Sequence, residues 1–215
     1  MQVTSRPHQI NPILAKEVDI TLNQYLAAGL IQHSTSPHSS PPVVIPTKSG
    51  SVRITVNYKK LNKISSFSQL PMRGSGPGLY GQGTGVSLFD LVSSFHQIAV
   101  HIDTASLTAL CTPTGLYEWL VTPQGSSASP GRFVKVVNEV VKGLEQVAAY
   151  LDDVIVFDSD PAAHVKTMRT LFERLRKYNL KLSLSKARLG ATDADFLGHS
   201  ISPAGVRPSA ENIPH

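Results

Sequence analysis

Two adjacent carboxylates, Asp152 and Asp153, lie between the short apolar runs Val147-Ala148-Ala149 and Val154-Ile155-Val156-Phe157. Runs of this length and type predict two strands, which puts Tyr150-Leu151-Asp152-Asp153 at the turn of a hairpin. Neighbouring ionised carboxylates repel unless a cation neutralises them, and hard oxygen donors suit Mg²⁺. The plain alternative is a surface turn, where Asp is common. A third carboxylate, Asp90, ends the apolar run Ser87-Leu88-Phe89-Asp90. Three carboxylates on one sheet edge would hold two Mg²⁺ ions about 3.5–4 Å apart, with Mn²⁺ as a substitute, an arrangement suited to phosphoryl transfer.

Such chemistry needs cations around a polyphosphate. Lys48 and Arg53, at the tip of a basic hairpin, are candidates for nucleotide binding, with a solvated hairpin tip as the alternative. Phe95 follows Asp90 by five residues; an aromatic ring beside a sugar would exclude a 2′-hydroxyl and favour deoxynucleotides, while a core Phe is the plainer reading. Gln124 offers an amide next to flexible Gly125, just ahead of a predicted helix, so it is a nucleotide contact or a simple helix-entry turn.

The elements that must position these residues follow from local patterns. Asn11-Pro12 predicts a helix start, with an apolar stripe of Leu14, Val18, Leu22 and Leu26 and a stop at Gly29. Residues 34–42 are Ser-, Pro- and His-rich and predict a loop. Val43-Val44-Ile45-Pro46 and residues 52–58 predict a hairpin, with Val52, Ile54, Val56 and Tyr58 on one face. Residues 72–85 are glycine-rich and predict a linker or disordered loop. Further strands are expected at 87–90, 98–102 and 115–121, and a helix over 130–144. After the acidic hairpin, Asp160-Pro161 caps a helix carrying Val165, Met168, Leu171, Phe172 and Leu175. Strands at 180–184 and 196–201 complete the pattern. From Asp90 onward this order gives an α+β fold, an antiparallel sheet backed by two helices in a split β-α-β, ferredoxin-like arrangement.

Composition narrows the function classes. The 215 residues can bury a core. A net charge of +5, from 20 Lys and Arg against 15 Asp and Glu, suits a polyanionic partner. Cys111 is the single cysteine, which excludes an intrachain disulfide and a cysteine-cluster zinc site. No apolar run reaches membrane-spanning length and no signal core is present, so an intracellular setting, cytoplasm or nucleus, is expected, with no membrane partner.

Ser87-Leu88-Phe89-Asp90-Leu91-Val92-Ser93-Ser94-Phe95-His96-Gln97-Ile98 resembles the first-aspartate motif of reverse transcriptases of gypsy-class long-terminal-repeat retrotransposons and retrovirus-related Pol polyproteins. Residues 43–63, with Arg53, Tyr58 and Leu61-Asn62-Lys63, are similar to the fingers hairpin of that family. Thr122-Pro123-Gln124-Gly125 resembles its template-grip loop, and Tyr150-Leu151-Asp152-Asp153 its metal-binding box. Residues 180–186 look like the segment whose lysine assists the leaving pyrophosphate, with Lys186 at the matching position. Phe196-Leu197-Gly198-His199 resembles the primer grip.

The resemblance spans roughly residues 11–208. It implies fingers and palm of a right-handed polymerase, with metal ligands Asp90, Asp152 and Asp153 and a catalytic Lys186. It further implies nucleotide contacts at Lys48, Arg53, Phe95 and Gln124, and template or primer contacts at Tyr150, Gly125, Phe196, Leu197 and Gly198. The implied partners are an RNA or DNA template with its primer and deoxynucleoside triphosphates. Expected boundaries are 1–86 for the N-terminal helix, fingers hairpin and Gly-rich linker (72–86), and 87–215 for the palm, with thumb and RNase H absent. The Gly-rich stretch stands where the family carries a helix. Two readings therefore remain: a working RNA-directed DNA polymerase domain, or an inactive retrotransposon remnant or nucleic-acid-binding module.

Overall fold

The computed structural model describes residues 2–6, 10–47, 50–65, 85–202 and 205–208. Its elements run α1 (Pro12–Ala27), β1 (Ile31–His33), β2 (Pro42–Pro46), β3 (Val52–Val56), α2 (Lys59–Asn62), β4 (Gly85–Asp90), α3 (Ile102–Ala105), β5 (Leu110–Thr112) and β6 (Gly115–Trp119). They continue with α4 (Ala128–Val141), β7 (Val147–Tyr150), β8 (Asp153–Asp158), α5 (Pro161–Lys177), β9 (Arg188–Ala191), β10 (Ala194–Phe196), β11 (His199–Ser202) and β12 (Gly205–Pro208). Two compact units result, one of residues 1–68 and 95–131, the other of 69–94 and 132–215. Both are discontinuous in sequence.

In the first unit the Asn11 side chain accepts from the Ile13 N–H and Pro12 follows, so α1 starts where its cap predicts. Val18 and Leu22 of its stripe are buried against Ile54, Tyr58 and Trp119. β2 and β3 form the predicted hairpin, and Val52, Ile54, Val56 and Tyr58 all face the core. β6 lies between β1 and β5 in an antiparallel sheet. That long-range pairing draws residues 95–131 into the unit of the N-terminal helix. The strand expected at 98–102 does not form. Ala99 makes a lone bridge to Val121, and His101 caps the short helix α3, its imidazole accepting from the Asp103 N–H.

The second unit is built on the antiparallel sheet β7-β8-β4-β9. Alternation gives it two faces. Ser87, Phe89, Val154 and Val156 share one face, where Phe89 meets Phe172 of α5 edge-on. Val86, Ile155 and Phe157 share the other, packed with Ala194, Phe196 and Ile201 from β10 and β11. Both faces are covered, so β8 is buried from Val154 to Asp158. α5 begins as predicted, the Asp160 carboxylate accepting from the Ala163 N–H.

Three local expectations change. Gly85 and Val86, assigned to the linker, open β4, while 72–84 lie outside the described residues. Residues 180–184 make only a lone bridge, Leu91 to Leu182, before a turn; the strand comes later, as β9. The apolar alternation of Leu180, Leu182 and Leu184 misleads, because Leu184 is 85% exposed. Residues 196–201 form a hairpin, not one strand, because Leu197 (φ 52°) and Gly198 (φ 74°) turn the chain between β10 and β11.

Candidate active site

The acidic hairpin forms between β7 and β8, with Tyr150 paired to Asp153 and only Leu151 and Asp152 between them. β8 also pairs with β4 in continuous register from Gly85–Asp158 to Asp90–Asp153. Asp90 and Asp153 are therefore direct cross-strand neighbours, with Cα atoms about 4.5–5.5 Å apart. Asp152 is held at the same end of the sheet, since its carbonyl accepts from the Leu91 N–H at 2.7 Å. Its carboxylate accepts from the Ser94 hydroxyl at 3.0 Å.

Two non-glycine residues with positive φ flank the acids, Ser93 (45°) and Leu151 (48°). Such conformations cost of order 1 kcal/mol or more each and concentrate at functional sites.

Lys186 supplies the countercharge. Its Nζ donates to Asp90 Oδ2 at 2.9 Å. The segment carrying it is fastened beside β4 by the Ser183 N–H to the Asp90 carbonyl (2.8 Å) and the Val92 N–H to the Lys181 carbonyl (3.0 Å). The Lys186–Asp90 side-chain hydrogen bond, then the Asp90 charge, raises the Lys186 ammonium above its ordinary range. Asp153 is pushed up first by desolvation, then by the charges of Asp90 and Asp152, while Lys186 pulls it the other way. The carboxylates thus repel more than one lysine relieves.

Among the described residues no group of three His, Cys, Asp or Glu side chains stands ready to hold a metal ion. Asp90 bonds to Lys186 and Asp152 to Ser94, and the backbones of the three acids meet at one end of the sheet. The chemistry of this set nonetheless fits hard divalent cations, with carboxylate oxygens at a site of uncompensated negative charge.

The other candidates divide by unit. Tyr150 ends β7 and packs on the cluster around Phe157 and Phe196. Phe196 is buried, whereas Leu197, at the hairpin turn, is 43% exposed and Gly198 half-buried. Arg53, Phe95, Gln124 and Gly125 belong to the first unit. Arg53 is exposed on β3, and Phe95 is half-buried in a 3-10 turn, Ser94–Gln97. The Gln124 carbonyl accepts from the Val56 N–H at 3.3 Å. Gly125 has φ +102°, and a Cβ there would collide with the Val56 carbonyl oxygen. Lys48 lies outside the described residues.

Two residues inside the motif stretches, Asn62 and Ser94, make contacts that the motifs did not single out. Asn62 donates to the Gly125 carbonyl (3.1 Å) and accepts from the Ser127 N–H (3.0 Å), fixing the 122–127 loop. Ser94 orients Asp152, and only its hydroxyl, close after Asp90, could have signalled it.

Residues 45–201 match the family model described as "Reverse transcriptase (RNA-dependent DNA polymerase)". The chain belongs to this reverse transcriptase family. It is 33% identical over 202 residues to the retrovirus-related Pol polyprotein from transposon 297 of Drosophila melanogaster, covering 90% of this chain and 19% of that polyprotein. It is 28% identical over 212 residues to the transposon Tf2-3 polyprotein of Schizosaccharomyces pombe, covering 97% of this chain and 16% of the polyprotein. The chain thus spans less than a fifth of the length of these relatives.

Among solved structures it resembles the foamy viral protease-reverse transcriptase in complex with RNA/DNA hybrid (TM-score 0.86, 23% identity, 97% of this chain and 28% of that one). It also resembles the same protein in complex with dsDNA (TM-score 0.86, 24% identity, 99% and 46%). The fold is the fingers and palm of a reverse transcriptase, antiparallel sheets backed by helices. Among the described residues no helix is long and apolar enough to cross a membrane.

Proposed function

We propose that this chain is the fingers and palm of an RNA-directed DNA polymerase that transfers a nucleotide from a deoxynucleoside triphosphate to a primer 3′-hydroxyl. The observation that carries this is the cross-strand pairing of Asp90 with Asp153, with Asp152 at the turn and Lys186 on Asp90. Two Mg²⁺ ions held by Asp90, Asp152 and Asp153 would supply activation of the 3′-hydroxyl and charge neutralisation at the leaving group. Ser94 orients Asp152. Lys186 carries a proton at Nζ beside the reacting phosphate and gives it to the departing pyrophosphate. Tyr150 and the 196–198 turn hold the primer end.

Arg53 and Lys48 bind phosphate, Phe95 selects the deoxy sugar, and Gln124 and Gly125 present the loop that meets nucleotide and template. Segments 1–86 and 87–215 are assigned to fingers with linker and to palm in this reading. Contacts to template and primer fall mainly on phosphates, so binding is salt-sensitive and weakly sequence-specific. Magnesium-dependent primer extension on RNA and DNA templates tests it, with Asp152→Asn as the inactive control.

The second reading, a nucleic-acid-binding remnant without catalysis, draws on the unclosed ligand set. It predicts retained duplex binding with no incorporation at any Mg²⁺ or Mn²⁺ concentration.

A further inference from the structure

At the end of the sheet away from the catalytic acids, a second polar pair is buried with its facing atoms unpartnered. Asp158 closes β8 at the opposite end from Asp153, five residues or about 16–17 Å along the strand. Alternation puts it on the face of Ser87 and Val156, the face that α5 covers. His164 lies near the start of α5. Its Nδ1 stands 3.4 Å from Asp158 Oδ2, and neither atom makes a hydrogen bond among the described residues. His164 is 6% exposed and Asp158 8%. Polar atoms buried without partners are costly, so the pair calls for a third group.

Neither neutral tautomer of His164 relieves it. With the proton on Nδ1, the donor faces a carboxylate with which it forms no hydrogen bond. With the proton on Nε2, the ring donates to Ser87 Oγ, 2.8 Å away, and a bare Nδ1 lone pair faces a carboxylate oxygen. Ser87 can accept this bond together with that from the Gly190 N–H at 3.0 Å, because a hydroxyl has two lone pairs. In this second tautomer a cation between Nδ1 and Oδ2 turns repulsion into attraction.

The spacing fits a coordinated metal ion. Bonds of about 2.0–2.1 Å at the tetrahedral angle put two ligands of one zinc ion about 3.3–3.4 Å apart. Each donor is also oriented by a neighbour, as metal ligands generally are. Ser87 holds the far nitrogen of the imidazole, and the Thr167 hydroxyl donates to Asp158 Oδ1 at 3.4 Å. Beside the pair a cavity of about 330 Å³ is lined by Asp158, His164, Pro161, Val165 and Met168. Val165 is 53% exposed, so the cavity reaches the surface and gives an ion a way in. Two protein donors leave the remaining positions to water from this cavity, so the site is open rather than a closed cage. An imidazole nitrogen favours zinc and its transition-metal neighbours over Mg²⁺, which prefers oxygen alone.

We propose that His164 Nδ1 and Asp158 Oδ2 bind one zinc-class metal ion, which ties α5 to the end of β8. The site differs from the acidic hairpin in donor type and in position, and it requires nothing of the polymerase reading.

The test uses the full chain, freed of transition metals and kept in Mg²⁺ so that hard oxygen sites are occupied. Nitrogen NMR of the imidazoles follows His164 as Zn²⁺ is added to a tenfold molar excess. The His164 Nδ1 resonance should move to a metal-bound position while Nε2 keeps its proton, and the melting temperature should rise with Zn²⁺. Asp158→Asn and Ser87→Ala should each weaken Zn²⁺ binding at His164 tenfold or more, whereas Asp152→Asn, at the other end of the sheet, should leave it unchanged. His164 nitrogens that do not respond to Zn²⁺ in the wild-type chain overturn the proposal, and this holds even if the buried variants fail to fold. Binding at His164 that survives intact in a folded Asp158→Asn protein overturns it as well. A wild-type chain that extends no primer would defeat the polymerase reading and leave this measurement untouched.

Discussion

Lys186 Nζ and Asp90 Oδ2 lie 2.9 Å apart, joined across a sheet edge from positions ninety-six residues apart in the chain. The lysine is 65% exposed on its side chain and the aspartate 24%. A pair so open contributes little to stability, and in the proposed reaction it keeps a proton donor beside the acidic cluster. Lys186→Ala should leave the thermal melt nearly unchanged and slow single-turnover incorporation by about 100-fold or more, the usual range for a general acid. Lys186→Arg should recover part of the rate. A Lys186→Ala enzyme of full speed would remove the residue from the mechanism.

Asp153 makes a prediction about pH. Its carboxyl is raised by desolvation, then by Asp90 and Asp152. An acid with a raised folded-state pKa holds its proton more tightly folded than unfolded, so ionising it costs folded-state stability. That cost is absent well below the ordinary carboxylate range and grows as pH rises through the raised value. In metal-free buffer at neutral pH, Asp153→Asn should therefore melt higher than wild type, by about 1–2 °C for a partly exposed charge. The difference should vanish at low pH. Added Mg²⁺ should raise the wild-type melting temperature by mass action and leave Asp153→Asn almost unmoved. Calorimetry at several pH values, with and without Mg²⁺, checks both.

Gly125 carries a backbone prediction. With φ +102° and the Val56 carbonyl where a Cβ would stand, Gly125→Ala must move the loop away from β3. A loss of at least about 1–3 kcal/mol is expected. Template-dependent incorporation should fall more than the melt predicts if this loop meets template. Gly29→Ala, strained at φ +67° but with open space around it, separates backbone strain from the clash.

The net charge of +5 and the phosphate-directed contacts proposed above predict binding governed by salt. Affinity for a primer–template duplex should fall linearly with salt on a log–log plot, and duplexes of unrelated sequence should bind within a few-fold of one another. Fluorescence anisotropy across a salt series measures both. A flat salt response would contradict phosphate contacts.

Much of this site is legible in the sequence because its determinants are local. The apolar runs on either side of Asp152 and Asp153 specify the hairpin, and Asn11 and Asp160 announce their helices as caps. Alternation from Val52 to Tyr58 identifies the buried face of β3. What escapes is set at long range. Residues 98–102 have strand-like composition, but His101 caps a short helix there. The turn at Leu197 depends on a left-handed leucine that no propensity favours. The register shift between β4 and β9 is accompanied by a hydrogen bond from the Gly190 N–H to the Ser87 hydroxyl, more than a hundred positions apart. The acidic set is readable from residue type, yet the hydrogen bonds of Asp90 to Lys186 and of Asp152 to Ser94 come from residues outside it.

The most direct measurement is incorporation of a single deoxynucleotide onto a primer annealed to an RNA template, with Mg²⁺, comparing wild type with Asp152→Asn at matched folding. The account predicts incorporation that requires divalent metal and falls by at least about a thousandfold in Asp152→Asn, as expected when electrostatic stabilisation of the transferred phosphoryl group is lost. A folded wild-type chain that binds the duplex but incorporates nothing, with either metal, would contradict it.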